Sequence, residues 1–574
     1  MTGLTKASQG GEAVSRRESA GTVENVSSSE SRLQLRWNLS HVASRVAYVA
    51  VAVGIVLRAL HFLANRSLSQ DEAMLALNVV HRSFSGLLHQ LDFLQGAPLG
   101  FLTLQKISVE GLGNDEYSLR LVSFLAGTTA VVLIAVIARD IVVAWAVPIV
   151  AAVFALSDPL ITWTVWAKPY AVDVLAAVVL TWMGIRLARS TERSWLIGFA
   201  LLAAAAIWFS YPSVFVLAGI SSVLVGAALL RRQWRRSVLL SLASAPWIAS
   251  FTVFAFTMLH NLEDLQRLSC LNCVRQGLSG SGSSSGWQTL RGSWGEFRYV
   301  SGMPHVLEQG GADVGLVLFA IALAFCAVGF RSLAARQLAA AAILVAPLGF
   351  MLIAWGLGDY PVLGRTQLFL VPSFVLLLGE GVVFAVMRAR AGAVRAVSAA
   401  CAFVVVVALG VPAFIHLVER QRFEDMKPVL AYLGRNERAS DTLYIFYTGQ
   451  YQVRYYLECH CAGKTFEQAQ RVRPWPKRDG PGGPDEFAPA LLSVPPRLII
   501  PIYHGRDPSA YVSGLDALRG RKRVWFLLSS LEDNRREFLL RELNRRGTQQ
   551  AALKVGSGKE AVAVYLYALR KAEP

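Results

Sequence analysis

Two adjacent carboxylates, Asp71 and Glu72, stand shortly after the first long apolar segment of the chain. A carboxylate just outside a membrane can act as a general base that removes the proton of an attacking hydroxyl group. The same pair can instead favour the first turn of a helix, where the helix dipole stabilises acidic side chains. The sequence leaves both interpretations open, one catalytic and one structural.

Two cations precede later apolar segments. Lys168 stands among aromatic residues that include Tyr170, and Arg365 lies in a short turn rich in glycine. A guanidinium can bind a phosphate in bidentate fashion, and a lysine supplies a compact positive charge. The aromatic residues are equally typical of a membrane-interface belt, and Arg365 could be an anchor that pairs with Asp359.

Asp173 and Arg120 are further candidate site residues. Asp173 lies a few residues inside an apolar segment, where an ionisable group is costly and usually faces a cavity or a partner. Arg120 opens another apolar segment, where its side chain could simply reach the membrane surface by snorkelling.

These residues together fit a polyprenyl-phosphate sugar. The tail of such a donor lies in lipid, its phosphate requires cations at the headgroup level, and its sugar projects outward. The carboxylate would deprotonate an acceptor hydroxyl that attacks the anomeric carbon, and the cations would stabilise the departing phosphate. A single displacement of this kind inverts the anomeric centre.

The elements that carry these residues must cross a membrane. The chain has 574 residues, 54% of them hydrophobic and only 17% charged, whereas an ordinary soluble domain has about 25% charged residues. About eleven apolar segments are long enough to be transmembrane helices, and we predict an α-helical polytopic membrane protein. The segments lie near residues 42–63, 119–137, 141–156, 172–187, 195–209, 214–230, 238–258, 314–330, 338–357, 368–386 and 397–417.

The arginines predict the orientation. The net charge is +17, and alternate short turns hold clusters of arginine, which typically face the cytoplasm. We therefore expect no nucleic-acid partner. The prediction is a disordered cytoplasmic leader over 1–41, a membrane domain over 42–417 with outer loops 65–117 and 260–313, and location in the bacterial inner membrane. The arginine-bearing turns lie near Arg139, Arg186, Arg189, Arg193, Arg231, Arg236, Arg331, Arg336, Arg388 and Arg395.

Residues 418–574 are predicted to form an extracytoplasmic α/β domain. Short β-rich runs at 442–447, 497–502, 524–528 and 561–566 alternate with helical patterns at 423–433 and 531–545.

Four of the six cysteines fall on the predicted outer side as Cys270, Cys273, Cys459 and Cys461. An oxidising compartment favours disulfides between the two segments, although a zinc site or free thiols would suit the same spacing. The pairing cannot be read from the sequence.

The order of these motifs resembles that of the GT-C membrane glycosyltransferases. The chain is most similar to bacterial relatives of protein O-mannosyltransferases (glycosyltransferase family 39) and of lipid A aminoarabinose transferases. The similar features are the Asp71-Glu72 pair, a Pro-Leu turn at Pro98, Tyr-Ser-Leu-Arg120, Lys-Pro-Tyr170 and the turn at Arg365. The resemblance extends over residues 42–417.

The resemblance implies an enzyme that uses a polyprenyl-phosphate-linked sugar on the outer membrane face, with a lipid, glycan or protein as acceptor. It implies Asp71 as the base beside Glu72, and Lys168 and Arg365 as phosphate contacts, with Tyr170 beside them. No cofactor and no metal ion are expected. The chain departs from the family where Lys168 replaces the usual arginine and where Gly96-Ala97 precedes Pro98.

Two other functions are compatible with the composition. A transporter would also have many spans and a residue such as Asp173, but no internal repeat is evident. A non-catalytic partner in polysaccharide assembly or export would use the C-terminal segment for binding. Only the enzyme requires the Asp71-Glu72 pair.

Overall fold

The computed structural model of the chain describes residues 42–93, 95–259, 312–357, 360–361, 364–389, most of 392–408, 424–438, 440–458, 498–499, 512 and 515–571. The predicted leader, nearly all of the 260–313 loop and the four cysteines of the two outer segments lie outside these residues.

In the described part of the chain, the helices before residue 390 are numbered α1 to α12. They are α1 (Val42–Leu63), α2 (Gln70–His81), α3 (Leu99–Leu112), α4 (Glu116–Ile141), α5 (Ala146–Leu156), α6 (Asp158–Thr164), α7 (Tyr170–Arg189), α8 (Arg193–Phe209), α9 (Ser213–Leu230), α10 (Trp234–Phe254), α11 (Ala312–Leu357) and α12 (Val371–Arg388). Short helical turns occupy Gly86–Leu88, Ala255–Leu259 and Gly364–Leu370.

The fold is mostly helical, as predicted, but the count of eleven spans is not confirmed. Among the described residues, seven helices are long and apolar enough to cross a membrane, or eight if the bent pair α5–α6 is one span. The predicted span at 141–156 is shorter, because α5 has 11 residues and meets α6 at an angle of 51°. The predicted spans at 314–330 and 338–357 lie on either side of a kink in α11, where Gln337 has non-helical backbone dihedrals (φ −150°, ψ 76°).

A buried arginine supports the bend between α5 and α6. Ser157 has extended backbone dihedrals, and Pro159 follows in the first turn of α6. The guanidinium of Arg58, on α1, donates hydrogen bonds to the carbonyl oxygens of Ala155 at 2.7 Å and Gly54 at 3.0 Å. A carbonyl left without its helical partner at the bend is therefore satisfied from a neighbouring helix.

Glycines allow α11 and α12 to pack backbone against backbone. A Cβ atom added at Gly381 would lie 1.8 Å from the carbonyl oxygen of Phe325, and one added at Gly329 would lie 2.0 Å from the carbonyl oxygen of Leu377. Small residues are the usual means of close helix approach in membrane bundles.

The described residues from Glu424 onwards form a mixed five-stranded sheet with helices, here termed the C-terminal unit. Its elements are α13 (Met426–Asn436), β1 (Thr442–Ile445), α14 (Gln450–Glu458), β2 (Leu498–Ile499), β3 (Val524–Leu528), α15 (Asp533–Arg546), β4 (Gly547–Val555) and β5 (Val562–Leu569). The strand order is β2-β1-β3-β5-β4, with β1 parallel to β2 and β3 and with β5 antiparallel to β3 and β4.

One face of this unit packs against the segment that carries the carboxylate pair. Leu68 and Leu75 belong to the same buried cluster as Ile445, Tyr456 and Trp525. The C-terminal unit therefore lies at the end of the bundle where α4 and α7 begin, here termed the site end.

Candidate active site

The carboxylate pair begins helix α2. Ser69 is the N-cap residue, and its hydroxyl accepts a hydrogen bond from the Glu72 amide at 3.3 Å. The Glu72 carboxylate in turn accepts one from the Ser69 amide at 3.0 Å. This reciprocal capping box fixes the first turn of α2, and Asp71 lies within that turn without taking part in the capping.

Glu72 is fully buried and joins three parts of the chain. Its carboxylate forms ion pairs of 3.0 Å with both Arg66 and Arg120, and it accepts a hydrogen bond from the Ala167 amide at 2.9 Å. Burial alone would raise the pKa of Glu72, but Arg120 and Arg66 outweigh it and lower the pKa to about 2. With its oxygens engaged, Glu72 holds α2, α4 and the Lys168 turn together.

Arg120 does not snorkel to the surface. It is buried, and besides Glu72 it donates hydrogen bonds to the carbonyl oxygens of Arg66 at 2.7 Å and Ser67 at 3.0 Å. It therefore contributes to the site by fixing the loop that leads into α2.

Asp71 remains accessible and faces two cations. Its side chain is 38% exposed, and one oxygen lies 3.0 Å from Nη1 of Arg365. Partial burial would raise the pKa of Asp71, but Lys168 and Arg365 together outweigh it and hold the pKa below its ordinary value. Asp71 is thus ionised at neutral pH and able to accept a proton.

Lys168 lies in the buried turn between α6 and α7, where Pro169 caps the start of α7. Its ammonium group donates a 2.7 Å hydrogen bond to Oε1 of Gln95, and its carbonyl accepts one from Ser123 at 2.8 Å. Burial lowers the pKa of Lys168, although Asp71 acts in the opposite direction. Gln95 is a site residue that the sequence analysis missed; its position before the Gly96-Ala-Pro98 turn was the available signal.

The aromatic residues around Lys168 pack inside the protein. The Arg365 guanidinium lies 5.9 Å from the ring centre of Tyr170 and 6.0 Å from that of Trp163, and Arg66 lies 4.4 Å from that of Trp166. Trp163 and Trp166 are both buried. In the described structure these rings contact the guanidinium groups by cation–π interactions. The aromatic residues of a membrane-interface belt would instead face lipid.

Asp173 lies one helical turn beyond Tyr170 and is buried beside Ser210. Within the described residues, its Oδ1 atom has no hydrogen-bond partner. The structure therefore brings together Asp71, Lys168, Tyr170 and Arg365, joins Arg120 to them through Glu72, and places Asp173 deeper in the bundle.

A groove of about 870 Å³ lies in the half of the bundle nearer the site end, although none of Asp71, Lys168, Tyr170 and Arg365 lines it. It lies between α3, α4, α7 and α8, and its lining is almost entirely aliphatic. On α4 the lining begins at Leu121, directly after Arg120, and on α7 it begins at Val172, four residues after Lys168.

No group of three or more potential metal ligands is found among the residues that the structure describes. The candidate residues Cys270, Cys273, Cys459 and Cys461 lie outside those residues, so the disulfide and zinc alternatives stay predictions.

Comparison with known proteins gives one family. Residues 96–259 match the family described as dolichyl-phosphate-mannose-protein mannosyltransferase. This segment contains Arg120, Lys168, Tyr170 and Asp173, whereas Asp71 and Arg365 lie on either side of it. Comparison with the curated proteins gives no match.

Among solved structures, ArnT from Cupriavidus metallidurans in the apo state matches over 90% of this chain and 97% of its own, with 12% identity and a TM-score of 0.48. The same protein bound to undecaprenyl phosphate has 13% identity and a TM-score of 0.47 over the same shares. An Archaeoglobus fulgidus oligosaccharyltransferase in complex with Zn and sulfate matches over 71% of this chain and 61% of its own, with 12% identity and a TM-score of 0.44. The family match confirms the predicted resemblance to the GT-C membrane glycosyltransferases over residues 96–259, which are less than half of the chain.

Proposed function

We propose that the protein is an inverting glycosyltransferase that moves a sugar from a polyprenyl-phosphate donor to an acceptor on the outer face of the bacterial inner membrane. The observation that carries this proposal is the accessible carboxylate of Asp71 beside Arg365 and Lys168 at the site end of the bundle. The match to a family named for a dolichyl-phosphate sugar supports the same class of donor.

The proposed reaction is one displacement. Asp71 takes the proton of the acceptor hydroxyl while that oxygen forms a bond to the anomeric carbon. The bond between the anomeric carbon and the phosphate oxygen breaks, and its electron pair stays on the phosphate. Lys168 and Arg365 stabilise the added negative charge.

The contact between Asp71 and Arg365 suits this sequence of events. Without donor, the guanidinium is shared with the base at 3.0 Å. A phosphate that binds Arg365 draws positive charge away from Asp71 and so strengthens it as a base. Donor binding thereby prepares the carboxylate for the acceptor.

The apolar groove at the site-end half of the bundle supports a lipid-linked donor. Its aliphatic lining reaches the first turns of α4 and α7, so a chain bound there would extend towards the end of the bundle that holds the cations. The tail moves from lipid into an equally apolar groove, so its binding rests on van der Waals contact with the aliphatic side chains and not on removal from water. We propose that the groove holds part of the tail, while Lys168, Arg365 and Tyr170 hold the phosphate.

The test is transfer from radiolabelled polyprenyl-phosphate sugars in membranes that contain either wild type or Asp71→Asn. The variant keeps the size of the side chain, so we expect it to accumulate and bind donor normally while its transfer rate falls by about 10³-fold or more. Glu110→Gln is the matched control, because this exposed carboxylate pairs only with Lys106 among the described contacts.

Equal transfer by wild type and Asp71→Asn would remove Asp71 as the base. If wild type transfers sugar from no donor when lipid, glycan and protein acceptors are supplied, the proposed enzymatic function is contradicted. The remaining functions are then a non-catalytic partner in polysaccharide assembly or export and a transporter.

A further inference from the structure

The loop that leads into α2 is held by the C-terminal unit along most of its length. Ser67 donates a hydrogen bond to Asp425 at 2.5 Å, and the Leu68 amide donates one to the Tyr456 hydroxyl at 2.8 Å. Gln452 donates to the Leu68 carbonyl at 2.9 Å. These contacts replace the water that would otherwise satisfy the loop backbone.

A further contact reaches Gln70, the residue that precedes Asp71. The Gln70 amide donates a 2.6 Å hydrogen bond to Oε2 of Glu424. Gln70 is the first residue of α2, so its amide has no partner within the helix. Glu424 therefore caps α2 from another part of the chain, in addition to the capping box of Ser69.

Glu424 is itself firmly placed. It is buried, its second carboxylate oxygen accepts a hydrogen bond from Ser530, and its amide donates one to the Glu560 carbonyl at 2.9 Å. Its backbone has φ +46°, in the left-handed region that a residue with a side chain rarely adopts. Strained residues of this kind persist where the surrounding structure holds them, and they are frequent at functional sites.

We infer that Glu424 is a positioning residue for Asp71, and that the C-terminal unit completes the active site by fixing the first turn of α2. This inference rests on the proposed function of Asp71 as a base. Glu424 touches neither donor nor acceptor in this scheme. It acts by holding the Gln70 amide, because the direction of the first turn sets the direction of the Asp71 side chain.

The first test measures hydrogen exchange in the full-length purified protein and needs no substrate. Glu424→Ala removes the acceptor of the Gln70 amide, so exchange in the peptide over residues 66–72 should become at least about tenfold faster. Peptides from β3 and β5 should exchange as in wild type. In Glu424→Gln the side-chain amide oxygen can still accept the hydrogen bond from the Gln70 amide. Exchange in the peptide over residues 66–72 of this variant should therefore stay close to that of wild type.

Asp516→Asn is the matched control, since Asp516 forms an exposed network with Arg519 and Arg546 elsewhere in the C-terminal unit. If Glu424→Ala does not accumulate, Glu424→Asp replaces it, because it keeps the charge and withdraws the carboxylate by one methylene. Unchanged exchange over 66–72 would overturn the inference. Equal acceleration in β3 and β5 would also overturn it, as it would show a general structural role.

The second test separates kcat from KM in the transfer assay. Lys168 and Arg365 are untouched by the change, so Glu424→Ala should keep the donor KM while kcat falls on the order of 10- to 100-fold, and Glu424→Gln should recover most of it. An unchanged kcat, or a rise in donor KM alone, would contradict positioning. Absence of transfer in wild type would instead contradict the proposed function, and the exchange result would stand independently.

Discussion

Asp71 is kept ionised by the same two cations that the proposed reaction uses for the donor phosphate. Its pKa is held low although partial burial acts to raise it. A carboxylate with a low pKa is a weak base. In the proposed reaction, a bound phosphate takes up part of the positive charge of Arg365, so the pKa of Asp71 rises. The strength of the base therefore depends on whether donor is bound.

This dependence predicts a shift in the pH profile. Replacement of Arg365 by Gln removes one of the two cations, so the pKa of Asp71 should rise. Because the base acts when ionised, transfer is lost as the pH falls through its pKa, and the acid limb of kcat/KM should move to higher pH. Residual transfer by Arg365→Gln measured across the acid range checks this.

Glu110→Gln is the control for the pH experiment and should keep the wild-type acid limb. An Arg365→Gln profile that falls in amplitude without moving along the pH axis would show that the titrating group is not beside Arg365.

Replacement of Glu72 should affect stability more than replacement of Asp71. Glu72→Gln would leave Arg66 and Arg120 without their shared carboxylate, and removal of one partner from a buried ion pair costs about 3–5 kcal/mol. Thermal unfolding in detergent should therefore show a clearly lower Tm for Glu72→Gln. Asp71→Asn alters a more exposed pair and should change stability by about 1 kcal/mol or less. Similar Tm values for the two variants would contradict this division of roles.

At the scale of elements, α11 and α12 depend on backbone contact. A methyl group at Gly381 would overlap the Phe325 carbonyl, which cannot move without shifting its helix. We expect Gly381→Ala to destabilise the protein by about 1–3 kcal/mol or more, measured as a lower Tm in detergent. Gly226→Ala on α9 is the matched control, because a Cβ there meets nothing within 4 Å. A Gly381→Ala variant as stable as Gly226→Ala would contradict the close packing.

Elements were predictable from the sequence where the signal is local. The strong apolar runs predict α4, α7 and α9, and Pro169 marks the start of α7. Strand β4 was missed, because its residues are mostly polar or half-exposed along the edge of the sheet. The bend at Ser157 was also missed, since the arginine that supports it lies on another helix.

The site was predictable in its residue types but not in its connections. Asp71, Lys168 and Arg365 could be chosen because they are charged residues next to apolar segments on the side opposite the arginine-rich turns. The roles of Gln95 and Glu424 depend on contacts with distant parts of the chain, and the Gln70–Glu424 pair is separated by 354 positions. Local patterns carry no information on such pairs.

At the scale of the whole molecule, the two ends of the bundle differ in charge. Arg139, Arg189 and Arg388 lie at the ends of α4, α7 and α12. The site and the C-terminal unit lie at the opposite end. The positive-inside tendency then predicts that the arginine end faces the cytoplasm and the site faces outward.

Cysteine labelling checks this orientation. In a background with the six native cysteines replaced by alanine, Asp516→Cys in the C-terminal unit should react with a membrane-impermeant maleimide on spheroplasts. Gln233→Cys, in the turn between α9 and α10, should react only after the membrane is opened. The reverse pattern would invert the proposed topology and exclude transfer on the outer face.

The hold of the C-terminal unit on the α2 loop also has a consequence for biosynthesis. Leu68 and its partner Tyr456 are 388 positions apart. At about 5–20 residues per second, the loop emerges from the ribosome roughly 20–80 s before the residues that fix it. The membrane helices can insert during this interval. The loop before the carboxylate pair is fixed only after about the last quarter of the chain has been made. A nascent protein that is already in the membrane would thus lack the contacts that fix the start of α2 until its synthesis is nearly complete.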